Sequence, residues 1–89
     1  MNTDTPLPST HRARLLVVDD DADMLRLLAM RLGSAGYQVT SVGSAEAALS
    51  QLDIERPQLV LSDVRLPGQD GLALFDEIRK RHPSLPVIL

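Results

Sequence analysis

The sequence predicts an α/β fold built on a parallel sheet, and three observations carry that reading. Short aliphatic runs, Leu15-Leu16-Val17-Val18, Leu59-Val60-Leu61 and Val87-Ile88-Leu89, alternate with longer segments whose apolar residues recur at helical spacing. Consecutive apolar residues suit strands buried on both faces, as parallel strands are. The connections are short, so the order β-α-β-α-β-α-β implies parallel strands joined by right-handed crossovers. With 89 residues the chain has enough length for one domain and too little for two.

The elements follow in order. Residues 1–13 include Pro6, Pro8 and small polar groups with Leu7 as the one bulky apolar side chain, and are expected to form a flexible tail. The domain is placed at 14–89. Arg14 to Asp19 opens it as a strand, and Asp21 is a suitable cap for a first helix. Leu25, Leu28, Ala29 and Leu32 form that helix's apolar stripe, and Gly33 and Gly36 offer its stop. Tyr37 to Val42 alternates, which fits a less buried or edge strand. Ser44 caps a second helix with Ala45, Ala48, Leu49 and Leu52 on one stripe, closed by Pro57.

Gln58 to Asp63 repeats the first strand pattern, and a loop with Pro67-Gly68 follows. Asp70 is expected to cap a third helix with Leu74, Phe75 and Ile78 facing inward. Asp76 with Lys80 and Glu77 with Arg81 are spaced as i,i+4 pairs. The basic residues Arg79 to His82 fall at the negative end of that helix. Pro86 to Leu89 opens a fourth strand.

Composition narrows the function. There is no cysteine, so disulfides, thiolate metal sites and cysteine nucleophiles are excluded. Aromatics make up 2% of the chain, Tyr37 and Phe75 alone, so the core must be aliphatic and base-stacking platforms are absent. A net charge of −3 argues against nucleic-acid contact from this segment. Apolar runs of four residues are far short of a membrane span. No basic-then-apolar leader is evident at the N-terminus, so a cytoplasmic setting is expected. His11 and His82 lack ligand spacing, and Met24, Met30, Asp23 and Asp53 read as surface or packing positions.

The main functional signal is acidic. The first strand runs into Asp19-Asp20-Asp21 and the third into Asp63. If both strands are central and parallel, these carboxylates meet at the carboxyl rim of the sheet, where ligands gather in such folds. Clustered carboxylates repel, and a hard divalent cation such as Mg²⁺ relieves the repulsion while keeping sites for phosphoryl oxygens. A carboxylate can also be a nucleophile that forms an aspartyl phosphate. The residues support a metal site of Asp19, Asp20 and Asp63, and leave open which aspartate takes a phosphoryl group.

Two segments, Leu15 to Asp21 and Leu59 to Gly71, resemble the receiver domain of two-component response regulators, and the likeness runs from about Arg14 to Leu89. The wording is most similar to receivers of the NtrC group, which precede a σ54-activating ATPase domain and a helix-turn-helix domain. The resemblance implies a flavodoxin-like, doubly wound sheet of order 2-1-3-4-5. It also implies that Asp63 accepts a phosphoryl group from a sensor histidine kinase and that an attached transcriptional output is regulated. Asp20 would ligate Mg²⁺ directly, Asp19 through water, and the backbone carbonyl of Arg65 would be a further ligand. Pro67, Asp70 and Gly71 would shape the loop under Asp63. Leu66 stands where the family often has methionine.

In the same terms the sequence ends at the start of the fourth strand. The family's switch Ser or Thr and its lysine are expected beyond Leu89, and Lys80 does not match the latter. An edge strand there is expected to favour self-association. The alternative is a haloacid-dehalogenase-type phosphatase fragment, with Asp19 as nucleophile and Asp21 as general acid. Its usual Gly-Thr turn is replaced by Ala22-Asp23. A dinucleotide-binding reading lacks the Gly-x-Gly-x-x-Gly turn after the first strand.

Overall fold

A computed structural model describes residues 12–66 and 71–89. Seven elements follow in the expected order: β1 (Arg14–Val18), α1 (Ala22–Ser34), β2 (Gln38–Val42), α2 (Ala45–Glu55), β3 (Leu59–Ser62), α3 (Gly71–Arg81) and β4 (Val87–Ile88). The four strands form one parallel sheet in the order β2-β1-β3-β4. The doubly wound α/β class read from the sequence is the architecture found. Of the residues expected to form a tail, those up to residue 11 lie outside the described residues, as do Pro67, Gly68 and the expected cap Asp70.

Local chemistry sets the helix ends. The Asp21 carboxylate accepts from the backbone N–H groups of Asp23 (3.0 Å) and Met24 (3.2 Å), capping α1. Gly33 does not stop this helix. The stop is at Gly36, whose φ of 102° suits glycine and few other residues. There Tyr37 N–H reaches the Leu32 carbonyl and Gly36 N–H the Gly33 carbonyl, a Schellman closure. Ser44 caps α2 through Ala47 N–H at 3.1 Å. Arg79 fastens the end of α3, donating to the carbonyls of Pro83 and Leu85 while its guanidinium lies 5.1 Å from the Phe75 ring centroid. Of the two expected i,i+4 pairs, Glu77–Arg81 forms at 3.3 Å. Asp76 and Lys80 make no such pair among the described residues.

The sheet is packed unequally. On one face Leu16, Val18 and Val60 meet Ala45, Ala48 and Leu52 of α2 and Leu74 and Ile78 of α3, all fully buried, with Leu66 sealing the top. On the other face α1 covers Leu15 and Val17, yet none of its own residues is fully buried. β1 is buried along both faces because it is central, as its unbroken aliphatic run implies. β2 is only half-buried, in keeping with its alternating sequence and its place at an edge.

Candidate functional site

The register of the central strands builds the site. β1 and β3 run side by side with Val18 opposite Ser62, so the next residues, Asp19 and Asp63, emerge together at the carboxyl rim. The ladder continues through both: Asp63 N–H donates to the Val18 carbonyl (2.9 Å) and Asp19 N–H to the Val42 carbonyl (3.1 Å). Asp20 follows on the turn into α1. One carboxylate oxygen from each of Asp19, Asp20 and Asp63 lies within 4.8 Å of the others. Asp19 and Asp63 are half-buried and Asp20 is exposed.

Each aspartate is held differently. Asp19 Oδ1 accepts from Asp21 N–H (3.0 Å) and Asp63 Oδ1 from Arg65 N–H (3.2 Å), so each keeps its second oxygen for a ligand. Asp21 is committed to capping α1 and does not join the cluster. The phosphatase alternative needs Asp21 beside Asp19 at the site, and the clustered carboxylates are Asp19, Asp20 and Asp63 instead, which counts against it. Arg65 contributes its N–H to Asp63 while its side chain is exposed.

The donor set fits a hard divalent cation. Three carboxylates offer oxygen ligands only. Octahedral Mg²⁺ with bonds of about 2.1 Å spreads its ligand oxygens over up to about 4.2 Å, and a water-bridged ligand extends that span. A hollow of about 300 Å³ beside the cluster, lined by Val17, Met24, Leu28, Leu61 and Ser62 together with the two half-buried aspartates, leaves room at the rim for a small group.

Two neighbours are not singled out as essential by the sequence. Gly71, read as a helix start and loop-shaping residue, packs directly on this strand end. A Cβ at Gly71 would collide with the Asp63 carbonyl oxygen and lie 2.7 Å from Val64 Cα. Ser62, a buried polar residue between Leu61 and Asp63, donates its hydroxyl to the Asp63 carbonyl at 3.0 Å.

Comparison with known proteins places this geometry. The sequence profile of the response regulator receiver domain matches residues 15–89. The transcriptional regulatory protein GlrR of Escherichia coli K12 is 47% identical over 77 residues, 86% of this chain and 17% of GlrR. The DNA-binding transcriptional regulator NtrC of Klebsiella pneumoniae is 44% identical over 73 residues, 82% of this chain and 16% of NtrC. The crystal structure of the receiver domain of NtrX from Brucella abortus superposes with a TM-score of 0.78 at 44% identity, covering 82% of this chain and 62% of that one. The chain thus spans about one sixth of the curated relatives it matches, and the likeness to NtrC-group receivers agrees with the wording of the motifs.

Proposed function

This chain belongs to the response regulator receiver domain family of two-component systems, and we propose that residues 14–89 act as the phospho-accepting input module of a transcriptional regulator. The observation that carries the proposal is the meeting of Asp19, Asp20 and Asp63 within 4.8 Å at the end of two adjacent parallel strands.

In this reading Asp63 is the acceptor. Its second carboxylate oxygen attacks the phosphorus of a phosphohistidine on a sensor kinase. The P–O bond forms as the P–N bond breaks, and the imidazole leaves with the electron pair. Arg65 N–H fixes one Asp63 oxygen, which orients the other toward the rim. Mg²⁺ would be held by Asp20 directly, by Asp19 through water, and by Asp63 and the Arg65 carbonyl. The chemistry it would supply there is to offset charge on the entering phosphoryl oxygens. The module is not itself an enzyme acting on other substrates. Its proposed setting is the cytoplasm. Separately, no helix among the described residues is long and apolar enough to cross a membrane. Its proposed partners are the kinase and a second copy of the chain, with no nucleic-acid contact from this segment.

The test is intact mass after exposure to acetyl phosphate and Mg²⁺. A single phosphoryl adduct is expected, abolished in Asp63→Asn and retained in Asp21→Asn. An adduct that survives Asp63→Asn and vanishes in Asp19→Asn would assign the nucleophile to Asp19 and restore the phosphatase reading.

A further inference from the structure

A second concavity lies at the end of the sheet opposite the acidic rim. It is an open groove of about 740 Å³ between the last turns of α2 and α3 and the loops entering β3 and β4. Leu52 and Leu85 give it an apolar floor, and Arg56, Arg81 and His82 stand on its walls. The one carboxylate on those walls, Asp53, lies 3.4 Å from His82 Nε2. That nitrogen is shielded from water and makes no hydrogen bond. The groove's acidic group is therefore turned toward the imidazole, and with Arg81 paired to Glu77 at 3.3 Å, Arg56 is the groove's unpaired arginine among the described residues.

Two independent observations single the groove out. Arg56 has a φ of 49°, the only non-glycine residue with positive φ among the described residues. Helix ends of this shape ordinarily take glycine or asparagine, and a bulky side chain there is held against its backbone preference. The backbone is fixed from both sides, with Arg56 N–H on the Leu52 carbonyl and the Arg56 carbonyl taking the Arg14 Nε–H. Meanwhile the guanidinium makes no hydrogen bond or ion pair among the described residues. The second observation is charge segregation. In a chain of net charge −3, Asp19, Asp20 and Asp63 cluster at the carboxyl rim, while at the opposite end of the strands Arg14, Arg56 and the run Arg79-Lys80-Arg81 outnumber Asp53, Glu55 and Glu77.

We propose that this groove docks an extended acidic peptide segment of a protein partner. Its carboxylates would pair with Arg56 and, alongside Glu77, with Arg81, and an apolar side chain between them would rest on Leu52 and Leu85. The complementarity is electrostatic at the rim and apolar at the floor, the usual division in a recognition groove. An open trough suits a chain segment laid across it better than an enclosed small molecule. Nothing in the proposal depends on the chemistry at Asp63, which lies at the other end of β3.

The test uses the 89-residue chain and a fluorescein-labelled peptide of alternating Glu and Leu. Fluorescence anisotropy at low salt reads affinity, and amide shifts in ¹⁵N-labelled protein locate it. Saturable binding is expected, with shifts at Arg56, Gln58, His82 and Leu85, and with affinity that falls as salt rises. Arg56→Gly is expected to weaken binding about tenfold or more, and Arg81→Gln likewise. Glycine suits a φ of 49°, so Arg56→Gly keeps or raises the melting temperature, and its lost affinity cannot be ascribed to unfolding. Unchanged affinity in Arg56→Gly would overturn the proposal, as would equal binding of a Lys-Leu peptide or shifts centred on Asp19 and Asp63. Arg56-dependent sedimentation with phosphatidylglycerol vesicles, without peptide binding, would overturn it in favour of a membrane surface.

Discussion

Gly71 holds the backbone of Asp63 in place by having no side chain. Replacing it with alanine drives a methyl group into the Asp63 carbonyl and Val64 Cα, so strand end and helix start must part. Gly71→Ala is expected to cost about 1–3 kcal/mol and to move the Asp63 and Val64 amide resonances. Gly33 is the control. It lies inside α1, and a methyl group added there would meet nothing within 4 Å. Gly33→Ala should stabilise by about 0.5–1 kcal/mol. Urea denaturation of both variants gives the two signs. The roles of the three consecutive aspartates are partly legible from the residues alone. Helix onset at Ala22 assigns Asp21 to the cap, which leaves Asp19 and Asp20 for the rim. The demand on Gly71 is not legible, because it arises only when the first turn of α3 lands on the end of β3.

At the scale of elements, the two faces of the sheet differ in how much they depend on their helices. Leu74 and Ile78 of α3 are fully buried against β1 and β3, whereas α1 contributes no fully buried residue. Leu74→Ala should therefore cost about 2–5 kcal/mol. Leu28→Ala, from the half-buried stripe of α1, should cost less than about 2 kcal/mol. The midpoints of urea unfolding check the order, and equal losses would show that α1 is packed as tightly as α3. Periodicity locates α1 and names its inward stripe, because spacing along a helix is a local property. How deeply that stripe is buried depends on what else lies on the same face of the sheet, which no single segment encodes. The same reason hides the basal groove: residues 52–58 and 81–86 come together only through the packing of α2 beside α3.

Across the whole molecule, the strand order decides what is exposed. Among the described strands β4 is outermost beside β3, and Ile88 is half-exposed there. An open strand with apolar side chains invites pairing with another chain. Sedimentation velocity on the 89-residue chain should show association that grows with concentration and is reduced in Ile88→Lys. A monomer at every concentration would remove the edge as an interface. The adjacency of β1 and β3 is readable from their shared pattern of aliphatic run and terminal aspartate. The full order rests on family resemblance, since nothing in β2 or β4 states which side each takes.

The pairing of Val18 with Ser62 has a thermodynamic consequence. Residues 19, 20 and 63 come together only once that ladder has closed, so the unfolded chain has no equivalent of the proposed cation site. A cation bound there is then a ligand of the native state alone, and its binding free energy adds to the stability of the fold. Above its dissociation constant, each tenfold rise in free Mg²⁺ should add about 1.4 kcal/mol. Thermal melts should climb with Mg²⁺ in the natural sequence and stay nearly flat in Asp20→Ala. The acidic rim would then couple folding to the cation supply: charges that push the strand ends apart when bare would draw them together when metallated.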